Sequence, residues 1–163
     1  WKESGDFDAT RFEWNHLVLA GDPQQARAQA QGNIQGDAFA CPDGLWVDTR
    51  GVLWIQTDIS SSTIATGEMS DLGHNALLAM DPRSGQVKRF LVGPAGCEIT
   101  GMTGTPDGTT VFVNIQHPGE SPSERSDPRQ PRQYSNWPDF RADGRPRSAT
   151  LAIRKLDGGV VGD

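Results

Sequence analysis

The chain has 163 residues, of which 35% are hydrophobic, with 19 glycines, 11 prolines and a formal net charge of −6. That length allows one domain with a real core, and the glycine and proline content favours short strands and turns over helices. The acidic balance excludes a nucleic-acid partner, which needs clustered Lys and Arg, and no run approaches the ~18 apolar residues of a membrane-spanning helix.

The chain opens at Trp1 with neither a methionine nor a visible signal peptide, as a processed or excised piece would. Phe12 to Leu19 (FEWNHLVL) reads as a strand. Asp22 and Pro23 can start a short helix over Gln24–Gln31, as N-cap and first helical residue. Its face is Gln and Ala, so a surface helix or a loose turn is expected; residues 14–32 form this leading strand and short helix.

Four antiparallel strands follow over residues 41–94: Leu45–Asp48, Val52–Thr57, Leu77–Met80 and Val87–Val92. The turn Asp81-Pro82-Arg83-Ser84, closed by Gly85, has the chemistry of a tight connection between the last two. Four antiparallel strands are one propeller blade. A second blade over 95–163 uses Glu98–Met102, Val111–Ile115 and Ala149–Lys155, with Val160-Val161 beginning a fourth strand.

The two units repeat a theme. CPDGLWVDTRGVLWIQTD (Cys41 to Asp58) and GTPDGTTVFVNIQH (Gly104 to His117) each set an Asp and a Gly in a turn before an alternating apolar strand. Leu53-Trp54-Ile55-Gln56 aligns with Val111-Phe112-Val113-Asn114, and Asp48 and Gly51 align loosely with Asp107 and Gly108, at an offset of 58 residues. That period lies at the long end of the range for propeller blades. The expected fold is therefore all-β and propeller-like, a single partial domain over residues 1–163 with about two four-stranded blades of a larger ring. Such a piece leaves strand edges unpaired, so it needs the remainder of the propeller or a second copy of the chain.

Two long insertions interrupt the blades, Ile59 to Asn75 and His117 to Ser148. The second holds six prolines and six arginines and few apolar residues, so it reads as disordered or functional. Trp137-Pro138-Asp139-Phe140 is the part expected to dock.

Glu98 is the most informative side chain. It is a single carboxylate in the small, uncharged run CEITGMTGT, at the head of a strand. Such a group either binds a metal ion or is held by backbone N–H groups or an arginine. Asp43, in the turn before the first blade's innermost strand, is either a second metal ligand or a turn residue capping its own backbone. Asp58 ends a strand facing Ser60–Thr63, and His117 ends another; both are candidates to line the site. Asp48, Asp81 and Asp107 are explained by turn chemistry. Cys41 and Cys97 form neither a disulfide framework nor a C-x-x-C pair and read as buried thiols at strand starts. No nucleophile elbow, P-loop, H-E-x-x-H or EF-hand loop occurs.

The runs GCEITG, TPDGTTVFVNIQHPGE and CPDGLWVD carry a resemblance. The first two resemble the PhoX-type calcium-dependent alkaline phosphatases. The third is also similar to a motif of calcium-binding six-bladed propellers of the gluconolactonase-like group. The resemblance implies a six-bladed propeller with calcium and iron at one end, hydrolysis of phosphate monoesters, and export to the periplasm or beyond the cell. It implies that Glu98 and Asp43 are metal ligands, contributed by adjacent blades to a site whose other ligands lie outside this chain, so that the chain alone is inactive. A non-enzymatic calcium-binding propeller module for binding or assembly is the alternative.

Overall fold

The structure, a computed structural model, describes residues 2–122 and 127–163. Arg125, counted above among the arginines of the second insertion, lies outside the described residues, as does Trp1. Ten strands are described: β1 (Lys2–Glu3), β2 (Phe12–Glu13), β3 (Gln35–Gly36), β4 (Pro42–Val47), β5 (Leu53–Thr57), β6 (Ala76–Met80), β7 (Gln86–Val92), β8 (Glu98–Gly104), β9 (Val111–Gln116) and β10 (Ala149–Ile153). Helical structure is limited to two short 3₁₀ turns, Ala28–Ala30 and Gly67–Met69. No helix among the described residues is long and apolar enough to cross a membrane.

Two sheets make up the body. The first has the order β3-β7-β6-β5-β4, and the second the order β10-β9-β8. Strands β4 to β7 pair antiparallel as one four-stranded unit. No expected element covered β3, which adds a parallel edge to β7. Gly36 makes that edge possible: its φ is 105°, and a Cβ there would lie 2.2 Å from the Val87 carbonyl oxygen.

The alternation of strand residues divides the core in two. On β5, Trp54 packs toward the second sheet, in one cluster with Leu77, Ile99, Met102, Val111, Val113 and Ile115. Ile55 faces the other way, into a cluster with Ile34, Phe39, Leu78, Met80 and Val87, which Val18 and Ala20 complete. The leading segment thus covers the outer face of the first blade. That burial requires only scattered apolar residues, so the expected strand over Phe12–Leu19 is confined to β2, paired with β1. The expected helix over Gln24–Gln31 is also absent beyond the 3₁₀ turn. Asp22 caps locally, its Oδ1 accepting the Gln24 N–H at 2.8 Å, but with no apolar face to bury the helix is not propagated.

The second sheet has three strands rather than four. Val160-Val161 does not pair in a sheet. Val161 is buried against Trp54 and the β8–β9 strands, and its N–H bonds the Gly108 carbonyl. Arg50 clasps this segment, donating to the Val161 carbonyl at 2.8 Å and pairing with Asp163 and Asp48. Residues 160–163 therefore bridge the two sheets. In the second insertion Trp137 packs against the central cluster, while Phe140 stays exposed.

Candidate functional site

Strands β4 and β8, each the end strand of its own sheet, lie side by side where the two sheets meet and run in the same direction. Gly44 sits under the side chain of Gln56, with a would-be Cβ 2.8 Å from Gln56 Oε1. That same oxygen accepts the Met102 N–H at 2.9 Å. Two residues on, a Cβ at Gly104 would meet the Trp46 ring at 2.8 Å. The pairs 44 with 102 and 46 with 104 reproduce the sequence offset of 58. The irregularities in pairing also repeat at that offset, between Pro42 and Leu45 and between Thr100 and Thr103. The two strands therefore begin at one common end.

Glu98 heads β8 at that end and is buried, with 8% exposure. Its Oε2 accepts a hydrogen bond from the Gln116 side-chain amide, its cross-strand partner in the register. His117 Nε2 lies 3.5 Å from the same oxygen. No Lys or Arg pairs with Glu98 among the described residues. His117 is held in a left-handed backbone conformation, φ 36°. Its N–H donates to Ser148 Oγ at 3.0 Å, and its Nδ1 lies 3.3 Å from the Gly96 carbonyl and 3.8 Å from Glu120 Oε2. A carbonyl can only accept, so Nδ1 carries the proton there. Nε2 can then donate to the Glu98 carboxylate only as the second N–H of the imidazolium, since a carboxylate oxygen accepts and does not donate.

The structure thus brings together two of the four residues singled out by sequence, Glu98 and His117. Asp43 does not join them. At the repeat offset Glu98 corresponds to Ala40, just before β4, and Asp43 to Gly101, roughly 10 Å further along at ~3.3 Å per residue. It is exposed. Asp58 is closer to the common end: its N–H bonds the Cys41 carbonyl at 3.0 Å, and at the repeat offset it takes the position of Gln116. Its carboxylate is exposed. Among the described residues, no three His, Cys, Asp or Glu side chains are placed to hold a metal ion. Glu98, with Oε1 free of hydrogen bonds among the described residues, fits one ligand position and no more.

Turn chemistry accounts for the remaining aspartates. Asp48, Asp81 and Asp107 each accept the backbone N–H two residues on, at 2.9 to 3.1 Å. Burial pushes the Asp48 carboxyl up, but Arg50, the Trp54 indole N–H and two backbone N–H groups hold it below its ordinary value. The cysteines differ from each other. Cys97 is buried and free, and burial pushes its thiol up to about 12. Cys41 is exposed, contrary to expectation, with a left-handed φ of 50°. Its chain leaves the cluster under the first insertion at that point, so its side chain turns outward.

Sequence reasoning missed Asn75. It is 2% exposed and satisfies four groups at once. Nδ2 donates to the Ile59 and Cys97 carbonyls at 3.0 and 2.8 Å. Oδ1 accepts the Ile59 N–H at 2.6 Å and the Thr57 hydroxyl at 3.1 Å. Asn75 thereby fixes the peptide immediately before Glu98 to the first blade. Only the position of Asn75 just before a buried strand pointed to it. For Gln56 the signal was stronger: a polar residue ends its aligned apolar run in both repeats.

Adjacent blade-like sheets whose end strands β4 and β8 run side by side, with a buried acid heading β8, are the arrangement of a β-propeller protein. The chain belongs to the PhoX alkaline phosphatase family, whose sequence pattern residues 1–119 match. It is similar to Pseudomonas fluorescens PhoX, solved in complex with vanadate, a transition state analogue, at 41% identity and a TM-score of 0.74. That match covers 90% of this chain and 24% of the other, so the chain spans about a quarter of the length of that protein. No curated protein matches significantly.

Proposed function

We propose that this chain supplies two adjacent blades, residues 41–94 and 95–163, of an exported PhoX-type phosphatase acting on phosphate monoesters. Glu98 is its contribution to the metal centre, and the chain alone does not turn over. The observation that carries this reading is a buried carboxylate at the head of β8 with no Lys or Arg to balance it among the described residues. Gln116 and His117 meet only Oε2; burying a charge that is not fully compensated is costly, and a cation bound at Oε1 would offset that cost. Calcium takes 6–8 oxygen ligands, so Glu98 would be one donor among several, the others coming from residues outside those described. Iron enters on the family likeness. The cations would neutralise phosphate charge when bound.

Within this chain, Gln116 orients Glu98, His117 shares its Oε2, and Asn75 anchors the preceding peptide. Asp43 could join only as an exposed second ligand from the first blade, and Asp58 lines the same end. The test is a chimera of P. fluorescens PhoX with its matching quarter replaced by this chain. Glu98→Gln should lower hydrolysis of p-nitrophenyl phosphate on the order of 100-fold and weaken calcium binding, as losses of metal-centre contacts do. Unchanged hydrolysis and calcium binding in a folded Glu98→Gln chimera would remove Glu98 from the metal centre.

A further inference from the structure

We infer that Arg132 and Arg145 hold a second phosphate on the substrate's leaving group, so that the site prefers small organic bisphosphates over monophosphates. This preference presupposes the phosphatase reading above and concerns the same site.

Both arginines belong to the second insertion, which leaves and re-enters the sheet at the end where Glu98 lies. The His117 N–H donates to Ser148 Oγ at 3.0 Å, which closes the insertion beside the residue that touches Glu98. The insertion then folds back on its own base. Gly119, with φ 80°, meets it so closely that a Cβ there would lie 3.0 Å from Pro146 Cγ and 3.1 Å from Ser135 Cβ. Trp137 is anchored against the central cluster, and its carbonyl accepts the Arg147 N–H at 3.3 Å. Arg145 is three residues from Ser148, so their backbones are separated by at most roughly 11 Å. Arg132 comes to the same place. Its Nη1 donates to the Arg141 carbonyl at 3.4 Å, and that carbonyl also accepts the Gly144 N–H at 3.1 Å.

Charge sets these two arginines apart from the others of the insertion. Arg129, Arg141 and Arg147 are paired with Asp127, Asp143 and Asp139. Arg132 and Arg145 are exposed and have no carboxylate partner among the described residues. Two neighbouring cations without counter-charge repel each other, and an anion between them relieves that repulsion. A guanidinium presents a planar fork of N–H donors that matches phosphate oxygens. Two such groups balance the roughly two negative charges of a phosphate monoester, where a carboxylate would leave one cation unbalanced. Their distance from the Glu98 end suits a short body, such as a sugar ring, between the two phosphates.

The test uses the P. fluorescens chimera and two hexose substrates that differ by one phosphate. Arg132→Gln with Arg145→Gln should lower the ratio of kcat/KM for glucose 1,6-bisphosphate to that for glucose 6-phosphate about tenfold, through KM rather than kcat. Added salt should lower the ratio more in the unsubstituted chimera than in the variant. Calorimetry in a Glu98→Gln background, where turnover is slow, gives a second reading: the bisphosphate should bind about tenfold more weakly once both arginines are replaced. An unchanged ratio, a change carried by kcat alone, or unchanged bisphosphate binding would overturn the proposal. Arg83→Gln, in the β6–β7 turn at the opposite end, should leave the ratio as it was. An equal fall there would assign the effect to net charge and dismiss the pair as a site. The ratio is separate from the Glu98 test: it can stay flat while hydrolysis depends on Glu98, and it can respond while hydrolysis does not.

Discussion

Replacing Asn75 by Leu is the most direct probe of how the two blades are joined. The substitution keeps the approximate volume but removes every polar atom of the side chain. It leaves three buried backbone groups without partners: the Ile59 N–H, the Ile59 carbonyl and the Cys97 carbonyl. Each orphaned group costs about 1–3 kcal/mol, and partial rehydration and the added apolar contact lower the sum, so the expected loss is about 3–5 kcal/mol. With a urea m-value near 2 kcal/mol/M for a chain of this size, the unfolding midpoint should fall by about 2 M. Asn33→Leu is the control, because Asn33 Oδ1 accepts the Leu19 N–H at an exposed position, where losses stay under about 1 kcal/mol. If Asn75→Leu costs no more than Asn33→Leu, the four-way bridge does not hold the blades together and Glu98 is not positioned through it.

Two further outcomes follow from the thiols and from Asp48. In the native chain iodoacetamide should modify one cysteine, Cys41, and in denaturant both, since Cys41 is exposed and Cys97 is not; native labelling of Cys97, read by peptide mass, would contradict its burial. Cys97 also sets the alkaline limit: an unfolded thiol ionises near 9.0 while the folded one keeps its proton to about 12. Its stabilisation is thus complete below pH 9 and declines as pH rises toward 12. Cys97→Ala should flatten that decline in a denaturation series, and an unchanged alkaline limb would refute the assignment. Asp48 acts in the opposite direction. Its carboxyl is held below 3.8, so its stabilisation is present above that value and is lost as pH falls through the lower folded one. Asp48→Asn should flatten the acid limb below about pH 4, and an equally steep loss in the variant would assign the acid sensitivity elsewhere.

Much of the architecture was legible because it rests on short-range chemistry. The Asp81 turn, the alternating strands of the first blade and the 58-residue repeat are written within short runs, and each strand from β4 to β10 lies within a few residues of its expected place. The repeat carried the most, because the same offset turned out to be the register between β4 and β8. Expectations failed where a segment's state depends on distant partners. Val160-Val161 has the composition of a strand, yet it is held by Gly108, Trp54 and Arg50 instead of by a sheet edge. Phe12–Leu19 alternates like a strand, yet most of it finds no strand to pair with.

The sequence alone determined that this is an all-β chain built on a repeated blade, and it singled out Glu98 as an unusual carboxylate. Tertiary structure decided which acids meet. Asp43 and Glu98 looked equivalent as acids at strand heads, but the register sets them three residues apart, leaving one exposed and the other buried beside Gln116 and His117. Turn chemistry depends on neighbours a few residues away, whereas burial and pairing depend on the packing of two sheets whose bridging contacts lie 22 to 113 residues apart in the chain.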